Sequence, residues 1–132
     1  MSPEQGNSDD VQIGEIDLER TDSGIAIVSI SGEHDLNTAP QLRQRLNEEI
    51  EEGRTIVVDL SPASFVDSSI LGVILDGRRG AEGAGLGFAV AQANGAQAVS
   101  RVLEITGLRS ELPVHASRAD AVEAASSPPE RR

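Results

Sequence analysis

The amino-acid sequence predicts an α/β fold: a small sandwich in which about four helices pack against a mixed, largely parallel sheet of four to five strands. Two observations predict it. Two neighbouring segments, "QIGEIDLER" and "GIAIVSISG", alternate apolar with polar or small residues at period two, with only a short turn between them. After them, short β-branched runs alternate with helical patterns, which favours parallel strands joined by crossover helices.

The first two strands are expected to form a hairpin with "RTDSG" as its turn. Thr38 then opens the first helix as its N-cap, with Gln41 completing a capping box and Pro40 in the first turn. Gly53 ends this helix. One apolar face is formed by residues spaced four apart, namely Leu42, Leu46 and Ile50.

The remaining elements follow the same logic. The run "TIVVDL" predicts a central strand, and a helix that starts at Asp67-Ser68-Ser69 follows it. "LGFAVA" predicts another strand, and "GAQAVSRVLEITG" a helix whose apolar stripe is Ala96, Val99, Val102 and Leu103. This helix is expected to end in a Schellman motif at Gly107 and Leu108. "LPVHA" and "SRADAVEAA" predict a last strand and helix.

The chain of 132 residues is expected to form one domain over residues 12–125, with disordered tails at 1–11 and 126–132. The polar start "MSPEQGNSDD" lacks the features of a signal peptide, and no apolar run approaches the ~20 residues of a membrane span. We therefore expect a cytoplasmic protein.

Composition limits the possible partners. The formal net charge of −11 argues against binding to nucleic acid or to an anionic membrane, since both attract cations. With no Trp, no Tyr and two Phe, the chain has almost nothing on which bases could stack. The absence of cysteine excludes disulfides and thiolate metal sites. A protein partner is expected, and no cofactor.

The Asp-Ser-Ser junction at residues 67–69 has two interpretations. The first is structural, since Asp or Ser at a helix start accepts hydrogen bonds from unpaired backbone N–H groups. The second concerns the helix that follows, whose apolar arc of roughly 200° is wider than a one-sided surface helix needs. This arc consists of Ile70, Leu71, Val73, Ile74 and Leu75. It predicts either an exposed partner site beside the hydroxyls or a deeply buried helix.

Catalysis and metal binding are not expected. His34 lies between Glu33 and Asp35, a pattern that predicts a solvated loop rather than a metal site. A Ser-His-Asp triad lacks the Gly-x-Ser-x-Gly elbow that would position its nucleophile. The carboxylates of residues 48, 49, 51 and 52 have two interpretations, a surface for a basic partner and a solvated acidic face, of which the second is the default.

Three segments in order resemble the STAS domains of bacterial anti-sigma factor antagonists. They are "SGEHDLNTAPQLRQRL", "FVDSSILGVIL" and "AVSRVLEITGL", and the resemblance covers residues 12–125. It implies a STAS-like fold and a phosphorylation site at Ser68. It also implies a partner switch, in which the unphosphorylated antagonist binds an ATP-dependent anti-sigma factor kinase and frees a sigma factor. Phosphorylation then releases the antagonist until a serine phosphatase restores it.

The partner-binding residues expected with this resemblance are Glu33, Asp35, Thr38, Asp67, Ser69, Ile70 and Val73. Ser69 is also a second possible phosphate acceptor. Many relatives have Gly directly after the two hydroxyl residues, whereas this chain has Ile70 there and Gly at Gly72, a change that bears on which kinase fits. A monomer or weak dimer is expected. The alternative is a non-switching STAS module, a scaffold or transport accessory subunit, in which Ser68 only caps a helix.

Overall fold

A computed structural model describes residues 14–93, 97–107 and 111–127. The tail predicted at 1–11, Ala96 of the helical stripe and Leu108 of the predicted Schellman motif lie outside these residues, and so does the second tail apart from positions 126 and 127. The elements are β1 (Glu15–Arg20), β2 (Ile25–His34), α1 (Ala39–Glu51), β3 (Thr55–Asp59), β4 (Ala63–Val66), α2 (Ser68–Gly83), β5 (Phe88–Ala91), α3 (Gln97–Thr106), β6 (Val114–His115) and α4 (Arg118–Ser126).

The strands form one mixed sheet in the order β1-β2-β3-β5-β6, with β4 paired to β2 off this path. β1 pairs antiparallel with β2, while the other pairs are parallel. This confirms the hairpin, the central position of β3 and the α/β fold class. The sheet has six strands, one above the predicted range, because β4 is a short strand between β3 and α2.

The core lies on both faces of the sheet. Successive residues of a strand point to opposite faces, so Val28 and Ile30 of β2 pack in the main core under α1, α2 and α3. Ile27 and Val57 point the other way, toward α4, whose Ala121 packs in a smaller core of mostly short side chains.

The first helix begins and ends as predicted, but it has no capping box. Thr38 is the N-cap and Gly53, with φ of 81°, follows the C-cap. The Thr38 side chain makes no capping hydrogen bond, because its hydroxyl donates to the carbonyl oxygen of Asp35 at 3.2 Å and contacts the His34 ring. The backbone at Thr38 is already helical, a conformation that aims the hydroxyl away from Gln41.

One carboxylate of the predicted acidic face is buried. Glu49 is 1% exposed, and its carboxylate accepts two hydrogen bonds from Arg20, at 3.1 and 2.8 Å, and one from Arg54 at 3.0 Å. The hydrogen-bonded Arg20 guanidinium holds the pKa of the Glu49 carboxyl below its ordinary value, although burial acts in the opposite direction. Glu49 therefore ties β1 to α1, and the prediction of a wholly solvated face is wrong at this position.

None of the helices in the described ranges combines the length and hydrophobicity that spanning a bilayer requires.

Candidate functional site

The candidate site lies where β2 and β4 end side by side. These two strands are parallel, with Glu33 opposite Phe65 and His34 opposite Val66. Parallel strands present their carboxyl ends at the same edge of a sheet. The loop after β2, which begins at Asp35, therefore lies beside the Asp67-Ser68-Ser69 junction that follows β4.

Asp67 is the N-cap of α2. Its backbone is extended, and its Oδ1 accepts hydrogen bonds from the backbone N–H of Ser69 at 3.0 Å and of Ile70 at 3.2 Å. These N–H groups have no partner within the helix, so the carboxylate satisfies them and also complements the positive end of the helix dipole. The capping interpretation of this junction is thus confirmed for Asp67.

The two serines of the junction have different environments. The Ser69 hydroxyl donates to Asp67 Oδ1 at 2.5 Å, and the side chain is half-buried. Ser68, at the first position of α2, is exposed. Within the described part of the chain no hydrogen bond to its hydroxyl is found. Of the two hydroxyls, that of Ser68 is therefore the one open to a reactant from solvent.

The end of β2 and the loop after it present two carboxylates to solvent. Glu33 and Asp35 are both exposed, and Asp35 Oδ1 accepts a hydrogen bond from the backbone N–H of Asn37 at 2.9 Å, which fixes the turn into α1. Leu36, at the tip of the same loop, is 71% exposed. Thr38 is half-buried and its hydroxyl is engaged with Asp35 and His34, so of the predicted partner residues around this loop Glu33 and Asp35 are the exposed ones.

His34 is buried, and the prediction of a solvated loop at this residue is wrong. Its Nδ1 lies 3.0 Å from the Thr38 hydroxyl, and its Nε2 lies 2.9 Å from the carbonyl oxygen of Ser31 and 3.2 Å from that of Glu15. Since carbonyl oxygens only accept, Nε2 carries a proton. Both ring nitrogens are thus engaged, and His34 is not arranged to activate Ser68 as a catalytic base.

The apolar arc of α2 is mostly buried. Ile70, Leu71 and Ile74 are completely buried in the main core. The prediction that Ile70 contacts a partner directly is therefore wrong for its side chain: the arc is wide because α1, α3 and the sheet surround this helix. Val73 is 4% exposed and lies at the floor of a surface groove.

This α1–α2 groove has a volume of about 840 Å³. Its lining comprises Leu36, Ala39, Pro40, Arg43, Gln44, Asn47, Glu48 and Glu51 on one side and Ser69, Gly72, Val73, Leu75 and Asp76 on the other. Arg43 and Asp76 form an ion pair of 3.2 Å between the two helices. The sequence did not predict the groove, because it arises from how α1 and α2 pack. Gly72 and the polar face of α1 were its only signals.

Comparison with known proteins places the chain in a family. The family model described as "STAS domain" matches residues 16–121, and the chain belongs to that family. Within it, the chain belongs with the anti-sigma factor antagonists: it is 34% identical over 101 residues to the anti-sigma F factor antagonist of Paenibacillus polymyxa, covering 75% of this chain and 85% of that protein.

Two solved structures illustrate the likeness of the fold. An anti-sigma factor antagonist from Mycobacterium paratuberculosis superposes with a TM-score of 0.73 at 28% identity, covering 87% of this chain and 96% of that one. The Bacillus cell fate determinant SpoIIAA in its phosphorylated form gives a TM-score of 0.64 at 22% identity, covering 83% and 97%.

Proposed function

We propose that this protein is an anti-sigma factor antagonist that works as a phosphorylation switch. While Ser68 is unphosphorylated, it binds an anti-sigma factor kinase in the cytoplasm and so frees a sigma factor. The kinase transfers the γ-phosphoryl group of ATP to Ser68 Oγ, which loses its proton, and ADP leaves. A serine phosphatase reverses the modification by hydrolysis. The chain itself supplies no catalytic group in this scheme.

The observation that carries the proposal is the contrast between the two serines. A protein kinase can phosphorylate only a hydroxyl that is exposed on its substrate and can reach the active site of the kinase. Ser68 is exposed, whereas the hydroxyl of Ser69 donates to Asp67. The family relation adds the biological setting, because the related proteins are named as antagonists of anti-sigma factors.

The local electrostatics favour an effect on binding rather than on folding. A phosphate carries about −1.5 to −2 charges at neutral pH. The positive end of α2 is already occupied by the Asp67 carboxylate, which accepts the N–H groups of Ser69 and Ile70. A phosphate on exposed Ser68 is therefore repelled by Asp67 toward solvent, where a docking partner has to desolvate it. Glu33 at the end of β2 and Asp35 in the loop after it add to the same negative field.

The first test is a pull-down from lysate of the source organism with Ser68→Ala and Ser68→Asp proteins as parallel baits. We expect the Ala bait to retain an anti-sigma factor kinase and the Asp bait to lose it. The captured kinase is then purified and incubated with ATP and the unmodified protein, and the products are measured by intact mass and peptide mapping.

Ser69→Ala is the matched control. We expect the native protein and Ser69→Ala to gain one phosphate and Ser68→Ala to gain none. The far-ultraviolet circular dichroism of the phosphorylated protein should equal that of the unmodified one. Phosphate on Ser69 would contradict Ser68 as the acceptor and move the switch to the neighbouring serine. Capture of the same scaffold or transport proteins by both baits would replace the switch with the non-switching alternative.

A further inference from the structure

The α1–α2 groove has two chemically different ends. Near the Ser68 junction its lining is mainly apolar, with Leu36, Ala39 and Pro40 facing Gly72 and Val73. Farther along α1 it carries Glu48 and Glu51. Pro40 and Glu51 are separated by about 16 Å of helix axis at a rise of about 1.5 Å per residue. We call the end lined by Leu36, Ala39, Pro40, Gly72 and Val73 the apolar head of the groove. The end that carries Glu48 and Glu51 is its acidic tail.

The charges of the acidic tail are open to an external cation. Of the four charged residues in the lining, Arg43 is already paired with Asp76. Beside this end, Arg20 and Arg54 line a second depression together with Glu48 and Glu51, but both donate to the buried Glu49 carboxylate. Glu48 accepts one hydrogen bond, from the neutral Gln44 side chain at 3.1 Å. Three carboxylates against one guanidinium leave the lining with a formal charge of −2.

Gly72 leaves room at the apolar head. A Cβ atom built on this glycine would meet nothing within 4 Å, while one on Gly77, one and a half turns later, would lie 3.0 Å from Leu46 Cδ1. Gly77 is therefore explained by close contact between α1 and α2, whereas no packing among the residues that the structure describes requires Gly72. An external backbone or side chain can approach α2 closely at that position.

From these features we infer that the groove docks an amphipathic helical segment of a partner protein, with apolar side chains over the head and Arg or Lys over Glu48 and Glu51. A second copy of this chain fits poorly, because it carries a net charge of −11 and would bring like charge to the acidic tail. An anionic lipid is disfavoured for the same reason. The inference rests on the proposed function only in assigning the segment to the anti-sigma factor that docks at Ser68.

This polarity makes the groove compatible with the switch. Phosphate on Ser68 lies at the apolar head, next to Ser69 of the lining, and would be desolvated against an apolar segment there. The partner's cations lie over the acidic tail, more than one screening length of about 8–10 Å away, so they do not compensate the phosphate. Docking is thus strengthened by attraction between the partner's cations and the acidic tail, and it is blocked when Ser68 at the apolar head carries a phosphate.

The test uses the full chain, labelled with ¹⁵N, and three synthetic helical peptides of about 18 residues, above the ~12–15 below which isolated helices are marginal. All three peptides have Leu and Phe at i, i+3, i+4 and i+7. They differ at the positions expected over the acidic tail, which are Arg in the first peptide, Gln in the second and Glu in the third. We expect the Arg peptide to shift the amide resonances of Gly72, Val73 and Leu75, and to bind at least tenfold more tightly than the Glu peptide.

Two variants in the groove and one control variant outside it locate the interaction. Glu48→Lys/Glu51→Lys should reverse the preference between the Arg and Glu peptides, and lysines in the last turn of a helix also suit its dipole, so this variant is expected to fold. Glu104→Lys/Glu123→Lys changes the net charge equally at exposed positions of α3 and α4 and should leave the preference unchanged. Gly72→Phe should block the apolar head and abolish binding of the Arg peptide.

Several results would overturn the inference: no binding of the Arg peptide, equal binding of the three peptides, resonance shifts outside the groove, or groove resonances that move with protein concentration alone, which would indicate a second copy. None depends on the kinase. If the peptides behave as expected but Ser68 is not phosphorylated, the groove stands and the proposed function fails. If Ser68 is phosphorylated and no peptide binds, the proposed function stands and the inference about the groove fails.

Discussion

At the scale of single residues, Asp67 has a structural role that can be separated from partner binding. Asp67→Ala removes the acceptor of two backbone N–H groups at the start of α2. We expect the free energy of unfolding to fall by about 1 kcal/mol, the usual contribution of an N-cap. Denaturant unfolding checks this, and Asp67→Asn, which keeps an acceptor oxygen, should restore most of the loss. If both variants lose the same unfolding free energy, the stabilisation comes from the negative charge of Asp67 and not from its capping hydrogen bonds.

The roles of single residues were only partly predictable from sequence. The capping role of Asp67 followed from its position before an apolar helical pattern, because capping is a local interaction. His34 and Ile70 were misjudged because neighbours distant along the chain bury them; one of these is the carbonyl oxygen of Glu15, 3.2 Å from His34 Nε2. The Thr38 hydroxyl contacts His34 and Asp35, which are local, but its direction depends on how the His34 ring is buried. No local pattern contains that information.

At the scale of elements, the two glycines of α2 give a matched pair of substitutions. A Cβ at Gly72 meets nothing, so Gly72→Ala should stabilise the helix by about 0.5–1 kcal/mol through reduced backbone entropy of the unfolded chain. Gly77→Ala places its Cβ 3.0 Å from Leu46 and should gain less or lose stability. Thermal and denaturant unfolding compare the two variants. Equal gains would show that α1 can shift away from α2 freely.

A second prediction at this scale concerns the Glu49 ion pairs, which join β1, α1 and the start of β3. Glu49→Gln should lower the free energy of unfolding at neutral pH by about 1.5–3 kcal/mol, the range for hydrogen bonds to charged groups. Because the folded-state pKa of Glu49 is lowered, its stabilising effect is complete above the unfolded-state pKa and disappears as the pH falls through the folded-state pKa.

The difference between native protein and Glu49→Gln should therefore shrink as the medium becomes more acidic than the ordinary pKa of a glutamate. Unfolding free energies measured from neutral to acid pH check this. Glu51→Gln is the control, since Glu51 is exposed at the same end of α1. A difference that stays constant with pH would show that Glu49 acts through packing rather than through charge.

Element existence was more predictable than element packing. Periodicity located the hairpin, β3 and α1, whose buried Leu42 and Leu46 follow the predicted stripe. It did not reveal β4 as a separate strand, because Ala63–Val66 has four residues and its pairing with β2 is a tertiary property. The α1–α2 groove was not predicted for the same reason, since it depends on how the two helices pack.

At the scale of the whole molecule, the two faces of the sheet are unequally stabilised. Three helices cover the main core, whereas α4 packs mainly through Ala121 and Ala125. Burying an alanine contributes much less than burying a leucine, because the stabilisation follows the apolar area removed from water. We therefore expect amide hydrogens of α4 to exchange through a local opening at lower free energy than those of β3.

Arg118 is the main polar anchor of α4, with bonds of 2.9 Å to Asp59 and 2.7 Å to Ser29. Arg118→Ala should speed exchange in α4 about tenfold or more, given about 1.5–3 kcal/mol for hydrogen bonds to charged groups. Arg101→Ala, at an exposed position of α3, should have no effect on α4. Hydrogen exchange followed by mass spectrometry measures both. If α4 is protected as strongly as β3 in the native protein, the two faces unfold as one unit.

The pairing of β2 with both β3 and β4 has a consequence for how such a regulator can diversify. Residues 25–29 of β2 pair with β3, and residues 32–34 pair with β4. Ser68, the proposed phosphate acceptor, and the carboxylates of Glu33 and Asp35 thereby lie beside one short strand pair, whose backbone hydrogen bonds do not depend on side-chain identity. Under the proposed function, exposed positions such as Glu33 and Asp35 can change, and the choice of partner with them, while Ser68 keeps its place. The choice of partner can thus evolve separately from the proposed phosphorylation of Ser68, which would keep parallel signalling pathways distinct.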